Sequence, residues 1–216
     1  MRKTFSRRRF IRRFAAAGMV AGAIVAICSA SAYVIVDHGL IESEPDGIIE
    51  LREQTSQAQY HWFDGQVAWI KIYDTNIDYP VMQSSNNQWY LSHDFRDRDS
   101  VIGSIFLDYR NRSDFSDKLS ILYGHRTNGH LMFSDVSRFA DSDYFAAHSG
   151  GRLILPNMSY ELKTVDFLRT EADSKIYRQL KANDYGGNVV ALSTCNRGRH
   201  GQRDVLILRA VTDKTP

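Results

Sequence analysis

The sequence predicts a mainly β domain built from about eight short strands with few helices. Short runs rich in Val, Ile, Leu, Tyr and Phe recur between positions 67 and 211, and Gly, Pro, Asn and Asp residues separate them. The chain has 216 residues, 43% of them hydrophobic, which is enough for one sizeable core but hardly for two. Many short strands in one domain indicate a β-barrel or a β-sandwich.

The strand predictions depend on the period and the bounds of the apolar runs. Asp74, Thr75 and Asn76 separate the first two runs and indicate a hairpin, while Pro80 restricts the second strand to an edge or a bulge. The predicted strands are 67–73, 77–82, 103–109, 118–125, 151–155, 160–168, 189–194 and 205–211. The predicted short helices are 87–94, 131–139, 142–148 and 174–181.

The N-terminal part of the sequence predicts a membrane anchor. Residues 14–36 form a run of 23 residues without a charge, which is long enough to span a bilayer as a helix. By the positive-inside rule, residues 1–13 stay in the cytoplasm and everything after Asp37 is exported, as in a single-pass protein of the cell membrane. The basic residues of the first segment are Arg2, Lys3, Arg7, Arg8, Arg9, Arg12 and Arg13.

A cleaved signal peptide is the alternative to an uncleaved anchor. Ala30-Ser31-Ala32 offers a small-residue cleavage site, and residues 6–11 resemble a twin-arginine signal. The apolar run continues beyond that site to Val36, which favours the anchor. We therefore divide the chain into a basic cytoplasmic segment 1–13, a transmembrane signal-anchor 14–36, a linker with an N-terminal helix 37–62 and a β domain 63–213.

The charge of the exported part argues against a nucleic-acid-binding protein. The whole chain carries 27 basic and 25 acidic residues, and without the seven basic residues of 1–13 the balance is 20 against 25, a net charge of −5. A nucleic-acid-binding domain is expected to have a basic surface. Nucleic acid is therefore not predicted as a partner.

Cys195 is the first candidate for a catalytic residue. It follows an apolar strand run, and Arg197, Arg199 and Arg203 surround it with positive charge that favours the thiolate over the thiol. A small buried core residue is the alternative. The other cysteine, Cys28, lies in the predicted membrane segment, so an exported Cys195 has no disulfide partner within the chain. This favours a free catalytic thiol.

A thiol nucleophile needs a general base or acid, and the chain has seven histidines. His125 follows the apolar run 121–123 through Gly124, which places an imidazole at a strand end, as Cys195 is placed. His200 is the rival, because it is five residues from Cys195 in a loop that contains glycines. The spacing alone leaves open which of the two meets the thiol. The other histidines are His38, His61, His93, His130 and His148.

These residues resemble the signature of the sortases, cysteine transpeptidases anchored on the outer face of Gram-positive bacterial membranes. Leu192-Ser193-Thr194-Cys195 is followed eight positions later by Arg203, and Tyr123-Gly124-His125 precedes it far upstream. Met132-Phe133 after the histidine is similar to class B sortases in particular. Further segments similar to class B are 67–72, 77–81, 90–95 and 103–111.

The resemblance implies a fold and a reaction. The fold is a closed eight-stranded sortase-type β-barrel with short peripheral helices, preceded by the N-terminal transmembrane helix. Cys195 would attack the carbonyl of a threonine in the C-terminal sorting signal of a surface protein and form a thioacyl enzyme. His125 would protonate the leaving amine, and Arg203 would stabilise the oxyanion.

The same resemblance implies partners and further site residues. The acceptor is an amine of a peptidoglycan precursor or of a pilin subunit. Ser193, Thr194 and Tyr123 are expected to bind the substrate. No cofactor and no metal are expected, because a thiolate, a proton shuttle and an oxyanion site suffice for acyl transfer.

The sequence departs from the class B pattern in some places. Region 169–188 is short where class B members usually carry a helix-containing insertion, Ala191 stands where threonine is common, and Asn196-Arg197 replaces an acidic residue sometimes found there. Two alternatives remain. One is an exported cysteine hydrolase or an L,D-transpeptidase-like enzyme, although the S-x-G-C context of the latter is absent. The other is a catalytically inactive, membrane-tethered binding module.

Overall fold

The structure is a computed structural model that describes residues 25–28, 31–34, 62–127, 130–171, 185–195 and 201–212, with only the backbone for 25–28, 31–34 and Cys195. The strands in this part of the chain are β1 (Val25–Cys28), β2 (Ser31–Val34), β3 (Gln66–Ile72), β4 (Asp78–Met82), β5 (Ile105–Leu107), β6 (Leu119–Tyr123), β7 (Gly150–Ile154), β8 (Ser159–Glu171), β9 (Asn188–Cys195) and β10 (Gln202–Thr212). The helices in the same part are two 3-10 helices, Trp89–Leu91 and Ser134–Ala140, and one α-helix, α1 (Ser142–Ala147).

Strands β3 to β10 of the described chain form a closed eight-stranded barrel in the order β10-β8-β7-β3-β4-β5-β6-β9, with β9 paired to β10. The pairs β4–β5 and β6–β9 are parallel, and the other pairs in the barrel are antiparallel. Closure pairs each of these strands on both sides, so the barrel presents no open sheet edge. The predicted barrel with short peripheral helices is confirmed, and the sandwich alternative is wrong.

The apolar runs of β9 and β10 are buried on both faces of the sheet. On one face the pair contributes Leu192 and Leu206 to the larger core, and on the other face Ala191, Val205 and Ile207 belong to a second, smaller cluster. Successive residues of a strand point to opposite faces, so burial of both faces requires a continuous apolar run rather than an alternating one. Each fully buried aliphatic side chain of this kind stabilises the fold by about 1.5–3 kcal/mol.

The β3–β4 hairpin confirms the turn predicted at positions 74–76. Asp74 has a φ of 59°, and the Thr75 hydroxyl donates to the Ile72 carbonyl at 2.9 Å. The prediction that Pro80 makes β4 an edge strand is wrong, because β4 pairs with both β3 and β5. Pro80 is accommodated since the β5 ladder involves only Val81 and Met82, so its missing N–H removes no bond on that side.

Several elements differ in length from the sequence prediction. The helices predicted over 87–94 and 131–139 are the shorter 3-10 helices, and 174–181 lies outside the described residues. Strand β8 extends to Glu171, beyond the predicted end at 168, because its polar last residues continue the ladder with the start of β10. The backbone pairing therefore persists where the apolar pattern has ended.

The N-terminal predictions are addressed only in part by the structure. β1 and β2 form an antiparallel pair inside the segment predicted as a membrane helix, which differs from a helix at these eight positions. Among the described residues, no helix has the length and apolar character needed to cross a bilayer. The rest of 14–36 and all of 37–61 lie outside the described residues, so the anchor and the linker helix stay predictions.

Gly103 excludes a side chain for two reasons, its backbone conformation and its close neighbours. Its φ is +57°, and a Cβ there would lie 2.3 Å from the carbonyl oxygen of Tyr90 and 2.8 Å from that of Leu91. Gly201 has a similar backbone, with φ +86°, but no atom of the described residues lies within 4 Å of the position that a Cβ would take there. A comparison of substitutions at the two glycines therefore distinguishes backbone strain from steric overlap.

We expect Gly103→Ala to lower the free energy of unfolding by about 2–4 kcal/mol, because it combines left-handed strain of about 1–2 kcal/mol with overlap against backbone. Gly201→Ala should cost only the strain. Urea unfolding of both variants measures the two values. Equal losses would show that the contact of Gly103 with the Trp89–Leu91 helix is unimportant.

Candidate active site

The backbone register brings Cys195 and Arg203 together on adjacent strands, and His125 lies two residues beyond the end of a third. Cys195 is the last residue of β9, and its Cα pairs with that of Arg203 in β10. β6 runs parallel to β9 with Tyr123 opposite Ser193, and the Gly124 N–H donates to the Ser193 carbonyl at 3.3 Å. His125 comes two residues after the end of this ladder, as Cys195 comes two residues after Ser193.

His125 is held at both its ring and its backbone. The side chain is 8% exposed, and its Nε2–H donates to the Leu91 carbonyl at 2.8 Å. A carbonyl can only accept, so Nε2 carries the hydrogen and the neutral ring has its lone pair on Nδ1. The His125 carbonyl in turn accepts from the Phe133 N–H at 3.0 Å. The imidazole is therefore fixed in one tautomer and one position.

Gly124 explains how the chain reaches that position. A Cβ at Gly124 would lie 2.7 Å from Cδ2 of the Phe133 ring and 3.2 Å from Cγ1 of Ile105. The sequence predicted that another group approaches this glycine closely, and that group is the buried ring of Phe133. His125, the residue after Gly124, then reaches the Trp89–Leu91 helix through its bond to the Leu91 carbonyl.

The electrostatic surroundings of His125 favour the neutral imidazole. Burial lowers the pKa of His125 most strongly, the hydrogen bond to the Leu91 carbonyl raises this pKa, and the positive charge of Arg203 lowers it. The charge of Arg203, which is paired with Cys195 in the sheet, therefore lowers the pKa of His125. A neutral imidazole can accept a proton from a thiol, as a general base requires.

A charged cluster around one buried carboxylate links the residues that directly follow His125 and Arg203. Asp204 is fully buried, and its Oδ1 accepts from Arg169 Nε at 2.9 Å. Arg126 Nη1 lies 3.7 Å from Asp204 Oδ2 and donates to Ser137 Oγ at 2.6 Å. Neither Arg126 nor Asp204 was expected from the sequence. The only signal was an acidic residue at the start of the apolar run of β10.

The chain has relatives among proteins of known activity, although no protein-family model matches it. It is 43% identical over 95 residues to Sortase B of Listeria monocytogenes, which is 44% of this chain and 36% of that protein. It is 30% identical over 118 residues to Sortase B of Staphylococcus aureus, which is 55% of this chain and 48% of that protein. The chain therefore spans less than half the length of these two relatives.

The solved structure of Sortase B from Listeria monocytogenes matches with a TM-score of 0.56 and 30% identity, over 68% of this chain and 94% of that chain. The chain belongs to the sortase family. The resemblance to class B that the sequence indicated is confirmed by these relatives.

The predicted substrate-binding residues of this sortase are enclosed by the fold. Ser193 is 1% exposed and Thr194 is fully buried, with the Thr194 Cα opposite that of Asp204. The Tyr123 hydroxyl donates to Asp108 Oδ2 at 3.0 Å. Direct contact of these side chains with a substrate therefore stays a prediction.

The other described histidines of the sortase have contacts away from the β6–β9 register. His93 stacks on Trp89 with ring centroids 3.8 Å apart, His130 Nδ1 lies 3.3 Å from Asp135 Oδ1, and His148 Nδ1 donates to the Tyr144 carbonyl within α1. His38, His61 and the rival His200 lie outside the described residues, as do Arg197 and Arg199. In the described part of the chain, no group of three or more His, Cys, Asp or Glu is arranged to hold a metal ion.

The lowered pKa of His125 makes stability depend on pH. Below its ordinary value of about 6.5, the unfolded chain binds a proton that the folded chain does not, so the folded state loses stability as the pH falls. We expect the stability of the wild type relative to His125→Gln to be constant above about pH 7.5 and to decrease from about pH 6.5 downward. Guanidinium unfolding of both proteins over this range tests it. A difference that is the same at every pH contradicts the assignment.

Proposed function

We propose that this sortase is a cysteine transpeptidase that cleaves a C-terminal sorting signal after threonine and transfers the protein to an amine. One observation supports the proposal: Cys195 pairs with Arg203 in β10, and β6, which ends two residues before His125, runs parallel to β9 with Tyr123 opposite Ser193. Family membership supports the reaction class. The residue roles, the sorting signal and the acceptor are our inference.

The first half of the reaction forms the thioacyl enzyme. The Cys195 thiol gives its proton to His125, and the resulting thiolate attacks the threonine carbonyl carbon. Since Nε2–H is engaged by Leu91, Nδ1 is the nitrogen that exchanges protons. The carbon–nitrogen bond then breaks, and the imidazolium returns the proton to the leaving amine. The lowered pKa of His125 favours this return.

Arg203 has two electrostatic roles in this reaction. Its guanidinium stays charged at any working pH and donates to the oxyanion that forms during attack. The same charge lowers the pKa of His125, which makes the imidazolium a stronger acid towards the leaving amine. A single cation thus supports both bond-breaking and proton return.

The second half of the reaction transfers the acyl group. An incoming amine gives a proton to Nδ1 of His125 and attacks the thioacyl carbonyl, which releases the Cys195 sulfur. We propose a surface protein with a C-terminal sorting signal as the donor, and a peptidoglycan precursor or pilin amine as the acceptor. The basic residues of 1–13 and the apolar run 14–36 support a single-pass membrane protein with its barrel outside the cell.

We expect Cys195→Ala to abolish thioacyl formation, because no other group of the site can form the intermediate. His125→Ala should lower kcat about 10²–10⁴-fold through loss of proton transfer. The assay incubates the full chain in detergent with peptides carrying sorting signals and an amine, and mass spectrometry detects the acyl enzyme and the transfer product.

Cys28→Ala is the matched control for the thiol and should leave the rate unchanged. His200→Ala is the control for the base. A His125→Ala variant with wild-type activity and an inactive His200→Ala variant would move the assignment to His200. Water as the only acceptor, with no amine product, would favour the cysteine hydrolase. Binding of peptides without any cleavage would favour the inactive binding module.

We expect Arg203→Gln to lower kcat about 10²–10³-fold, because it removes the charge at the oxyanion. Arg203→Lys keeps the charge but not the planar donor pair, and its loss should be smaller. Without the nearby cation, the acid-limb pKa of the kcat/KM profile should rise in Arg203→Gln, which a pH series of initial rates measures. Equal rates for the lysine and glutamine variants would contradict an electrostatic role.

A further inference from the structure

Asp108, one residue beyond β5, is a buried carboxylate with several donors. It is 1% exposed, and Arg110 binds it with Nε 2.9 Å from Oδ1 and Nη2 2.7 Å from Oδ2. Burial opposes its ionisation, but the hydrogen bonds of Arg110, Asn87 and Tyr123 lower the pKa of Asp108 to about 2. Asp108 is therefore negatively charged at every pH at which a thiol enzyme works.

Two of its partners come from the chain segments that approach His125. Asn87 Nδ2 and the Tyr123 hydroxyl each donate to Asp108 Oδ2 at 3.0 Å. Asn87 Oδ1 also accepts from the Tyr109 N–H at 2.9 Å, so its side-chain amide is fixed at both ends. A carboxylate that receives such donors fixes the position of the segments that carry them.

The two segments meet again at the imidazole. Tyr123 precedes His125 by two residues, and Asn87 precedes Leu91 by four. Leu91 provides the carbonyl to which Nε2–H of His125 donates at 2.8 Å. Both ends of the hydrogen bond that fixes the tautomer of His125 are thus attached, through short stretches of chain, to one carboxylate.

The helix that presents Leu91 is short, and residues before and after it hold it in place. It is a three-residue 3-10 helix, and its N-cap, Gln88, makes no side-chain capping hydrogen bond. Asn86 Oδ1 accepts from the Gln88 N–H at 2.8 Å and from the Trp89 N–H at 3.0 Å instead. The position of the helix relative to the barrel is supported by Asn87 on one side and by the close approach of Gly103 on the other. Arg110 alone would satisfy the charge of Asp108, so the bonds from Asn87 and Tyr123 add positional constraint rather than neutralisation.

We propose that Asp108 is a positioning residue for acyl transfer, which holds Leu91 and His125 in register through Asn87 and Tyr123. This inference rests on the proposed function, since it assigns His125 the proton transfers. Loss of Asp108 frees the two segments to move apart, and the imidazole loses the contact that orients Nδ1. A shift of about 1 Å in a reacting group can cost about 10²-fold in rate.

We expect Asp108→Asn to lower kcat by about 10–100-fold while KM for the sorting peptide stays within about twofold, because orientation rather than substrate binding is lost. Tyr123→Phe removes a single hydroxyl bond and should lower kcat by about threefold. The assay is the peptide transfer reaction with the full chain. Nitrogen-15 NMR of histidine-labelled protein reads the tautomer of His125 directly, and the Nε2–H form should lose dominance in Asp108→Asn.

Asp135→Asn is the matched control. Asp135 is a fully buried carboxylate that accepts from the Asn76 N–H at 2.9 Å and lies 3.6 Å from Arg138, and these bonds involve neither Leu91 nor His125. This variant should lower the melting temperature and leave kcat and the His125 tautomer unchanged. Comparison of the two variants therefore distinguishes a general loss of stability from a displacement of His125.

The outcomes distinguish this inference from the function on which it rests. A wild type that transfers peptides, with Asp108→Asn unchanged in kcat and in the NMR signals, overturns the positioning role and leaves the proposed function standing. A wild type that transfers no peptide overturns the proposed function and with it the catalytic meaning of Asp108. If Asp108→Asn does not fold, Tyr123→Phe decides, and an unchanged kcat in that variant overturns the proposal.

Discussion

The parallel ladder between β6 and β9 is the interaction on which the candidate site depends. Its register places Tyr123 opposite Ser193, and His125 and Cys195 each follow two residues later. The side-chain period of a strand is two, so a slip of one residue would send the imidazole to the opposite face of the sheet. The antiparallel ladder from β9 to β10 then adds Arg203 at the same level. Tyr123 and Ser193, which lie far apart in the sequence, thus become neighbours through backbone pairing.

The sequence allowed the strands and two of the catalytic candidates to be predicted, for local reasons. Apolar runs mark β9 and β10 because both their faces are buried, and Cys195 and His125 stand where such runs end. Closure into an eight-stranded barrel was expected only from the family resemblance, and the order of strands was not predicted, because parallel pairing joins strands separated by long stretches of chain. The role of Leu91 was missed since its bond to His125 spans 34 positions and uses a carbonyl, which every residue has.

Buried carboxylates recur around the barrel and follow one physical pattern. Asp108, Asp135 and Asp204 are almost or fully buried, and each lies within 4 Å of at least one arginine. Such pairs stabilise a fold little compared with apolar side chains, because desolvation offsets the attraction. Their directional bonds instead fix segments relative to each other. Asp108 and Asp204 do so close to His125, because Asp108 binds Tyr123 and Asp204, the residue after Arg203, lies beside Arg126.

The bond between His125 and Leu91 also bears on the order of events in the proposed reaction. With Nε2–H engaged, one nitrogen has to protonate the departing peptide and later deprotonate the incoming amine. Both amines must therefore occupy the same place beside the imidazole, and they cannot do so together. The first product has to leave before the acceptor enters, which makes the mechanism ping-pong. The acyl enzyme is therefore exposed to water after the first product has left and before the acceptor has bound.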